Sequence, residues 1–441
     1  MTQTIFALAS GAGRAGVAVY RLSGPMAGAA VSTLMRRDLP PPRRAVRARL
    51  HHPAGELIDD GLVLWFPAPA SFTGEDVAEF HLHGGRAVAV ALAEALVDLG
   101  LRPAEPGEFS RRAFLNDKMD LTRAEAIADL VAAETAAQRR QALRQMDGAL
   151  AGLVEDWRRK MVAILGHLEA VIDFADEGIP DSLLMRVADE IAELIAALDH
   201  HRDDHHRGER LRDGFHIAIV GAPNAGKSSL LNRLARRDAA IVSAEAGTTR
   251  DVVEVHLDLG GWPVVVADTA GLRDAEGAIE AEGVRRARAR AEAADLKLAV
   301  FDATLAPVLD SATVEMIDDA TLVVMNKSDL AADAAPDWII GRPVIAVSAQ
   351  TGIGLERLEE AMTAMVERGL GEGGAPVLTR SRHRAAVDEA AASLRRVDVA
   401  GGVEWAAEDV RLAARALGRI TGRIEVDDVL DVIFREFCIG K

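Results

Sequence analysis

Residues 221–228 read GAPNAGKS, placed directly after the apolar run HIAIVG and directly before SSLLNRLARR. A strand, a G-x-x-x-x-G-K-[ST] loop and a helix in that order form a phosphate-binding turn, and the order narrows the fold sharply. Backbone N–H groups can close around phosphates only where a buried strand ends and a helix begins, so the surrounding segment must be a helix-covered, largely parallel sheet. In such a loop the Lys227 ammonium reaches the outer phosphate oxygens, and the Ser228 hydroxyl is a hard ligand for magnesium.

The neighbouring sequence agrees with this architecture. From about residue 212 to 370, apolar runs (HIAIVG, VVVADTAG, LKLAVFDA, TLVVMNKSD, PVIAVSAQ) alternate with helical patterns, which predicts a doubly wound sheet. Residues 1–118 mix short alternating runs with one helical pattern, RAVAVALAEALVDLG, and read as an α+β module. Residues 119–211 are rich in Ala, Leu, Glu and Arg with helical periodicity, and predict a bundle of long helices. Helical periodicity returns over 371–441, so the sheet domain reads as an insertion into the helical one. The expected fold class is multidomain α/β.

Three further segments follow the phosphate loop in a fixed order. GTTRD (247–251) offers Thr249 as a second magnesium and γ-phosphate ligand, and DTAG begins with Asp268, which can hold magnesium through its water shell. NKSD (326–329) ends an apolar strand. Its Asp329 is acceptor-only, so it can take both N–H donors on the edge of guanine, whereas adenine offers no such pair. SAQ (348–350) ends the next strand and can contact the base from the other side. Together these predict a GTP hydrolase.

One component is missing. In the Ras-like pattern a glutamine follows DxxG and orients the attacking water, but here Leu272 follows Gly271. Charge between the β and γ phosphates must also be neutralised, by an arginine finger or by a monovalent cation in its place. Asn224, inside the phosphate loop, has a neutral carbonyl oxygen suited to potassium; the competing reading is an asparagine that only shapes the loop. For the water, Glu280 and Glu282 at the start of AIEAEGVRRA are both candidates, against the plainer role of helix N-terminal charges.

Composition excludes several classes. No stretch of 18 apolar residues exists, and the first 24 residues lack a basic leader, so no membrane span and no signal peptide are expected and the cytoplasm is the default compartment. The single cysteine, Cys438, rules out an internal disulfide framework. A formal net charge of -17 argues against strong sequence-independent nucleic-acid binding, so any nucleic-acid substrate needs a local patch or a basic partner.

The combined motifs resemble one family, the MnmE (TrmE) tRNA-modification GTPases. The resemblance rests on GRAGVAVYRLSG, FTGEDVAEFHLHGG (72–85), PGEFSRRAFLNDKMDLTRAEAIADL (106–130), IDFADEGIP (172–180) and the terminal FCIGK (437–441), and spans the chain. It implies a potassium-dependent GTPase with potassium at Asn224, Ser243, Glu245 and Thr248, and magnesium at Ser228 and Thr249. It implies GTP contacts along Asn224, Ala225, Gly226, Lys227, Ser228 and Ser229, and along Ser243, Ala244, Glu245, Ala246, Gly247 and Thr248. Further contacts are implied at Asp268, Thr269, Ala270 and Gly271, at Asn326, Lys327, Ser328 and Asp329, and at Ser348, Ala349 and Gln350. The water-orienting glutamate of the family matches Glu280. An N-terminal dimerisation domain would bind 5-formyl- or 5,10-methylene-tetrahydrofolate through Arg21, Glu79, Lys118 and the tail residue Lys441, and Cys438 matches the cysteine used in modification. With the FAD protein MnmG, in a heterotetramer built on the homodimer, the family forms an aminomethyl or carboxymethylaminomethyl group at C5 of the tRNA wobble uridine. Two departures stand out: Ala222 replaces a common arginine, and SGAGRAG replaces a proline-containing loop. The competing function is a GTP-dependent switch in ribosome assembly, weakened by the absence of a basic RNA-binding module.

Other patterns carry less. GAGRAG (11–16) fits a dinucleotide fingerprint, but a strand pattern follows where a helix is required. GEGG (371–374) places a glutamate where a phosphate clamp would be repelled, and reads as a linker. Within the histidine-rich 200–206 stretch, His201 and His205 have the i, i+4 spacing of a metal pair, against the plainer reading of a solvated helix face.

Overall fold

The computed structural model describes residues 3–174, 181–204, 206–236, 254–268, 288–331, 336–371, 378–424, 430, 433–434, 437 and 440. The chain divides into two compact units, one of residues 1–128, 145–165 and 410–441, the other of residues 129–144 and 166–409.

The first unit contains a six-stranded sheet: β1 (Ile5–Leu8), β2 (Ala15–Ser23), β3 (Val46–His51), β4 (Leu57–Phe66), β5 (Val77–Gly84) and β6 (Arg102–Pro103), in the order β3-β4-β5-β2-β1-β6. All neighbours are antiparallel except β1 and β6. Alternation decides which face is buried. Ala48, Leu50, Val63, Trp65, Ala78, Phe80, Tyr20 and Leu22 point into one core with the helices Ala27–Met35 and Arg86–Asp98, while Arg47, Asp60, His81 and Arg21 take the opposite face. GAGRAG leads into β2, a strand, as its flanking pattern predicts.

On the face that carries Arg21, Arg112 is 6% exposed and makes four contacts: Glu75 Oε2 at 2.9 Å, Glu108 Oε1 at 2.8 Å, and the carbonyls of Gln3 and Ser23. Arg102 clasps Glu108 from the other side, and Ser23 Oγ donates to Glu75 at 2.6 Å. Each buried charge therefore has both a partner and hydrogen bonds, the condition under which such groups are tolerated. Burial pushes the Glu108 carboxyl up, but donors on Arg102, the Glu105 N–H and Arg112 outweigh it and hold the group at about 2.

The second unit contains the predicted parallel sheet: β7 (Phe215–Val220), β8 (Glu254–Leu259), β9 (Trp262–Asp268), β10 (Leu296–Asp302), β11 (Thr321–Asn326), β12 (Trp338–Ile339) and β13 (Arg342–Ala346), ordered β12-β13-β11-β10-β7-β9-β8. Only β8 and β12, at the two edges, run antiparallel to their neighbours. The central strands are buried on both faces: Ile217 and Ile219 of β7 face one core, Ala218 and Val220 the other. That explains why their sequence is a continuous apolar run without polar alternation. The helix Leu355–Leu370 covers one face through Leu355, Leu358, Met362, Val366 and Leu370, which recur at helical spacing.

The long helices are Leu121–Ala132, Ala136–Met146, Ala149–Asp173, Asp181–Arg202, Ser381–Arg396 and Val403–Thr421. Segments far apart in sequence close on each other within each unit. Arg423 bonds Glu155 at 2.7 Å in the first, and Arg384 bonds Asp204 at 2.8 Å in the second.

Glu108→Ala is expected to lower hydrogen-exchange protection of β1 and β6 by about 3–5 kcal/mol at neutral pH, because two guanidiniums lose a shared acceptor. The Glu108 carboxyl lies at about 2, below its ordinary 4.5, so its stabilisation is complete above 4.5 and is lost as pH falls towards 2. The gap between variant and parent should therefore shrink by about 1 kcal/mol between about pH 6 and pH 4. A gap that stays constant with pH would contradict this account.

Candidate functional site

The loops that the sequence marks for nucleotide binding meet at the carboxyl ends of β7, β9, β10, β11 and β13. From β7 the chain is flanked by β9 on one side and β10 on the other, the topological position where doubly wound sheets open a ligand crevice. The phosphate loop leaves β7 there and enters the helix Lys227–Leu234.

Two glycines are required for this turn. Gly221 (φ +154) passes so close to β10 that a Cβ would lie 2.3 Å from the Val300 carbonyl oxygen, and Gly226 (φ +90) is packed so that a Cβ would lie 2.2 Å from Asn326 Nδ2. Asn224 adopts φ 66, a left-handed conformation that asparagine tolerates better than most residues, and is exposed at the loop crest. Lys227 is 6% exposed, and its Nζ donates to the carbonyls of Gly221 at 2.7 Å and Ala222 at 2.9 Å. The loop's own carbonyls thereby hold the ammonium at the loop.

Ser228 Oγ donates to Asp268 Oδ2 at 2.6 Å, where Asp268 ends β9 and is 4% exposed. A hydroxyl and a carboxylate converge here, the hard-oxygen donor set that magnesium prefers. Ser229 is exposed one position further along the helix.

Asn326 ends β11 and joins the parts of the site. Its Nδ2 donates to Ala225 O at 2.9 Å, and its Oδ1 accepts from Ala349 N at 3.0 Å. A side chain 2% exposed thus links the phosphate loop to the SAQ segment with both amide groups satisfied. Lys327, at φ 63, donates from Nζ to Asp302 Oδ2 at 2.6 Å. Burial raises the Asp302 carboxyl, and hydrogen bonds from Lys327 and Thr304 outweigh that and lower it. The Ser328 N–H donates to Val347 O, which leaves Asp329 exposed at the turn, with Ser348 buried and Gln350 exposed on the facing segment.

Sequence reading missed Asp302. It ends an apolar strand, but what gives it a role is its register partner Asn326, which opens NKSD, and strand pairing alone reveals that relation. Of the other expected ligands, Ser243, Ala244, Glu245, Ala246, Gly247, Thr248, Thr249, Thr269, Ala270, Gly271, Glu280, Cys438 and Lys441 lie outside the described residues. So do GEGG beyond Gly371 and His205; among the described residues no group of three or more metal-ligating side chains occurs.

In the first unit, Arg21 and Glu79 are register partners on β2 and β5, and Arg21 Nε and Nη2 donate to Glu79 Oε1 at 3.0 and 2.9 Å. The guanidinium carbon also lies 5.3 Å from the centre of the Phe72 ring and 5.9 Å from that of Phe109. Lys118 does not join this pair directly: its Nζ donates to Pro69 O at 2.9 Å, on the loop that carries Phe72. A groove of about 860 Å³ opens beside GAGRAG, lined by Leu8, Arg14, Tyr20, His83 and Arg86; Arg21, Glu79 and Lys118 do not line it.

Residues 4–118 match the family description "GTP-binding protein TrmE N-terminus", and residues 121–438 match "MnmE helical domain". A tRNA modification GTPase MnmE from Paramagnetospirillum magneticum is 68% identical over all of both chains. The chain belongs to the MnmE (TrmE) family. MnmE proteins from Rhodospirillum rubrum and Parvibaculum lavamentivorans are 59% and 55% identical, covering 99% and 100% of each chain. The MnmE family assignment and the mixed α/β fold with its phosphate-loop sheet agree with the sequence expectation. No described helix is long and apolar enough to cross a membrane.

Gly226→Ala is expected to weaken GTP binding by at least about tenfold, since an alanine must leave the φ > 0 region and displace an asparagine amide that is held at both ends. Titration with a fluorescent GTP analogue checks it. Parent-like affinity would show that the loop can relax away from Asn326.

Proposed function

We propose that this chain is a potassium-activated GTPase that works with the FAD-dependent protein MnmG to build the (carboxymethyl)aminomethyl group at C5 of the tRNA wobble uridine. Family membership makes it a GTP hydrolase acting in tRNA modification, with GTP and magnesium as the ligands of that activity. The observation that carries the reading is Asn326, whose single side chain ties the phosphate loop to the segment facing the base.

Ser228, with Thr249 and the nearby Asp268, would hold magnesium, which would neutralise charge on the β and γ phosphates. Asp329 and the SAQ segment read guanine. Asn224, Ser243, Glu245 and Thr248 would hold potassium, which would supply the positive charge that an arginine finger supplies elsewhere. Glu280 orients the attacking water in place of the glutamine that Leu272 displaces. GTP contacts run along the remaining loop and switch positions named above.

The folate derivative, which supplies the one-carbon unit when bound, is held by Arg21, Glu79, Lys118 and Lys441. The donor set fits: a half-buried carboxylate accepts from the N–H edge of a pterin, and the guanidinium is already flanked by two phenyl rings. Cys438 serves the modification step. The working form is a cytoplasmic homodimer, within a heterotetramer with MnmG.

Nucleoside mass spectrometry on tRNA from a deletion strain is expected to show loss of the modified wobble uridine. In vitro, Glu280→Ala should lower kcat by on the order of 10²–10³ while GTP affinity stays the same, and sodium in place of potassium should slow the parent. Equal rates in the two salts would refute the cation assignment, and loss of GTP affinity together with rate would refute that of Glu280.

A further inference from the structure

Residues 36–52, RRDLPPPRRAVRARLHH, contain six arginines and one aspartate in a chain whose formal net charge is -17. All six guanidinium-bearing residues, Arg36, Arg37, Arg43, Arg44, Arg47 and Arg49, are exposed. We infer that β3 and its lead-in form the surface on which the phosphate backbone of the tRNA docks.

The geometry presents these charges in an ordered row. β3 is the terminal strand of its sheet, so one side of it faces no neighbouring strand. Ala48 and Leu50 point into the core, and Arg47 and Arg49, with side chains 79% and 71% exposed, point out from the open face. Their spacing of two residues places the two Cα atoms about 7 Å apart. The lead-in is braced. Arg37 Nη2 donates to Arg47 O at 2.7 Å, the Arg43 N–H donates to Trp65 O at 2.8 Å, and the Arg43 guanidinium packs 5.7 Å from the centre of the Phe66 ring and bonds Ala70 O. Ordering the backbone on binding therefore costs little.

Among the described residues, Asp60 is the carboxylate paired with Arg47 and Arg49, at 2.8 Å and 3.8 Å. Two guanidiniums share it, which leaves several donors directed outward, and the planar fork of arginine suits phosphate oxygens. Protection of a sheet edge against mispairing needs only one or two charges on the strand itself. This run extends past the strand to the helix end at Arg36 and Arg37 and to the turn at Arg43 and Arg44, further than edge protection requires.

RNA is favoured over an acidic protein surface by what lies on the same sheet face. Register carries Arg47 to Leu62, His81 and Val19, and the adjoining row carries Leu64 to Glu79 and Arg21. The arginine edge thus stands two strand spacings from Glu79 and three from Arg21, about 10 and 14 Å. Phosphate contacts position a nucleic acid and leave its bases to be read elsewhere, so a backbone held at β3 can bring a base towards that pair while the acidic remainder of the chain repels other orientations.

The inference rests on the tRNA-modification reading, which nucleoside analysis tests separately; here the measurement is binding. Fluorescently labelled, unmodified tRNA is titrated with the full chain across a sodium chloride series. Replacing Arg44, Arg47 and Arg49 together by Gln should weaken binding at least about tenfold at about 0.1 M salt and flatten the slope of log K against log salt by about 2, at roughly 0.7–0.9 per lost phosphate contact. The far-UV circular dichroism and the melting temperature should be unchanged, which reports an intact fold. Asp60→Asn, which keeps every arginine, should tighten binding. Parent-like affinity and slope in the triple variant would overturn the proposal, as would a triple variant that retains tRNA but loses binding to an acidic protein.

Discussion

The nucleotide site depends on the two hydrogen bonds of the Asn326 side chain. Its amide nitrogen holds Ala225 in the phosphate loop, and its amide oxygen holds Ala349 in the segment after β13. Both groups are buried, so losing either leaves an unsatisfied polar atom, at a cost of about 1–3 kcal/mol. The same contact explains why Gly226 must be glycine, since the asparagine amide occupies the space a side chain would need. The phosphate loop, the NKSD turn and the SAQ segment are thereby tied together, held on strand ends that are themselves buried on both faces. Lys327, pinned to Asp302, fixes the turn that presents Asp329.

The N-terminal sheet solves a different problem. Two helices cover one of its faces; on the other, the helix Glu108–Leu115 packs through Phe109 on Ile5 and Ala7, and charged and apolar side chains lie in register across the remaining four strands. Such a face can bind ligands only if the loops around it are held still. The buried Arg112 does this from beside Arg21 on the same face, joining the start of β1, the end of β2, the loop carrying Glu75 and the helix carrying Glu108 in a set of paired charges. The loop that brings Phe72 to Arg21 is thus anchored to the same core as the strand that carries Arg21.

Much of the candidate site was legible in the chain, and the rest was not, for physical reasons. GAPNAGKS, NKSD and SAQ each act through local backbone geometry, so each could be placed from a few consecutive residues. The convergence of Ser228 with Asp268, 40 residues apart, follows from the parallel order of β7 and β9 and could be anticipated from fold class. The pairing of Asp302 with Lys327 could not, because it depends on two strand ends being level. The bonds from the Asn326 side chain to the backbone at Ala225 and Ala349 were likewise not legible, because they join segments 101 and 23 residues away. The six arginines were present in the sequence, but their meaning depends on β3 being an edge strand.

What the sequence by itself determined is the chemistry available: a phosphate loop, a turn with an acceptor-only aspartate, an alternation of strands and helices, and a set of motifs that resembles one family. These are local patterns, enforced by glycine conformations, hydrophobic period and donor or acceptor type. The tertiary structure alone decided which distant groups share a partner and which faces stay open. Strand order and register set those relations, and both arise from the summed packing of the core and not from any short stretch of residues.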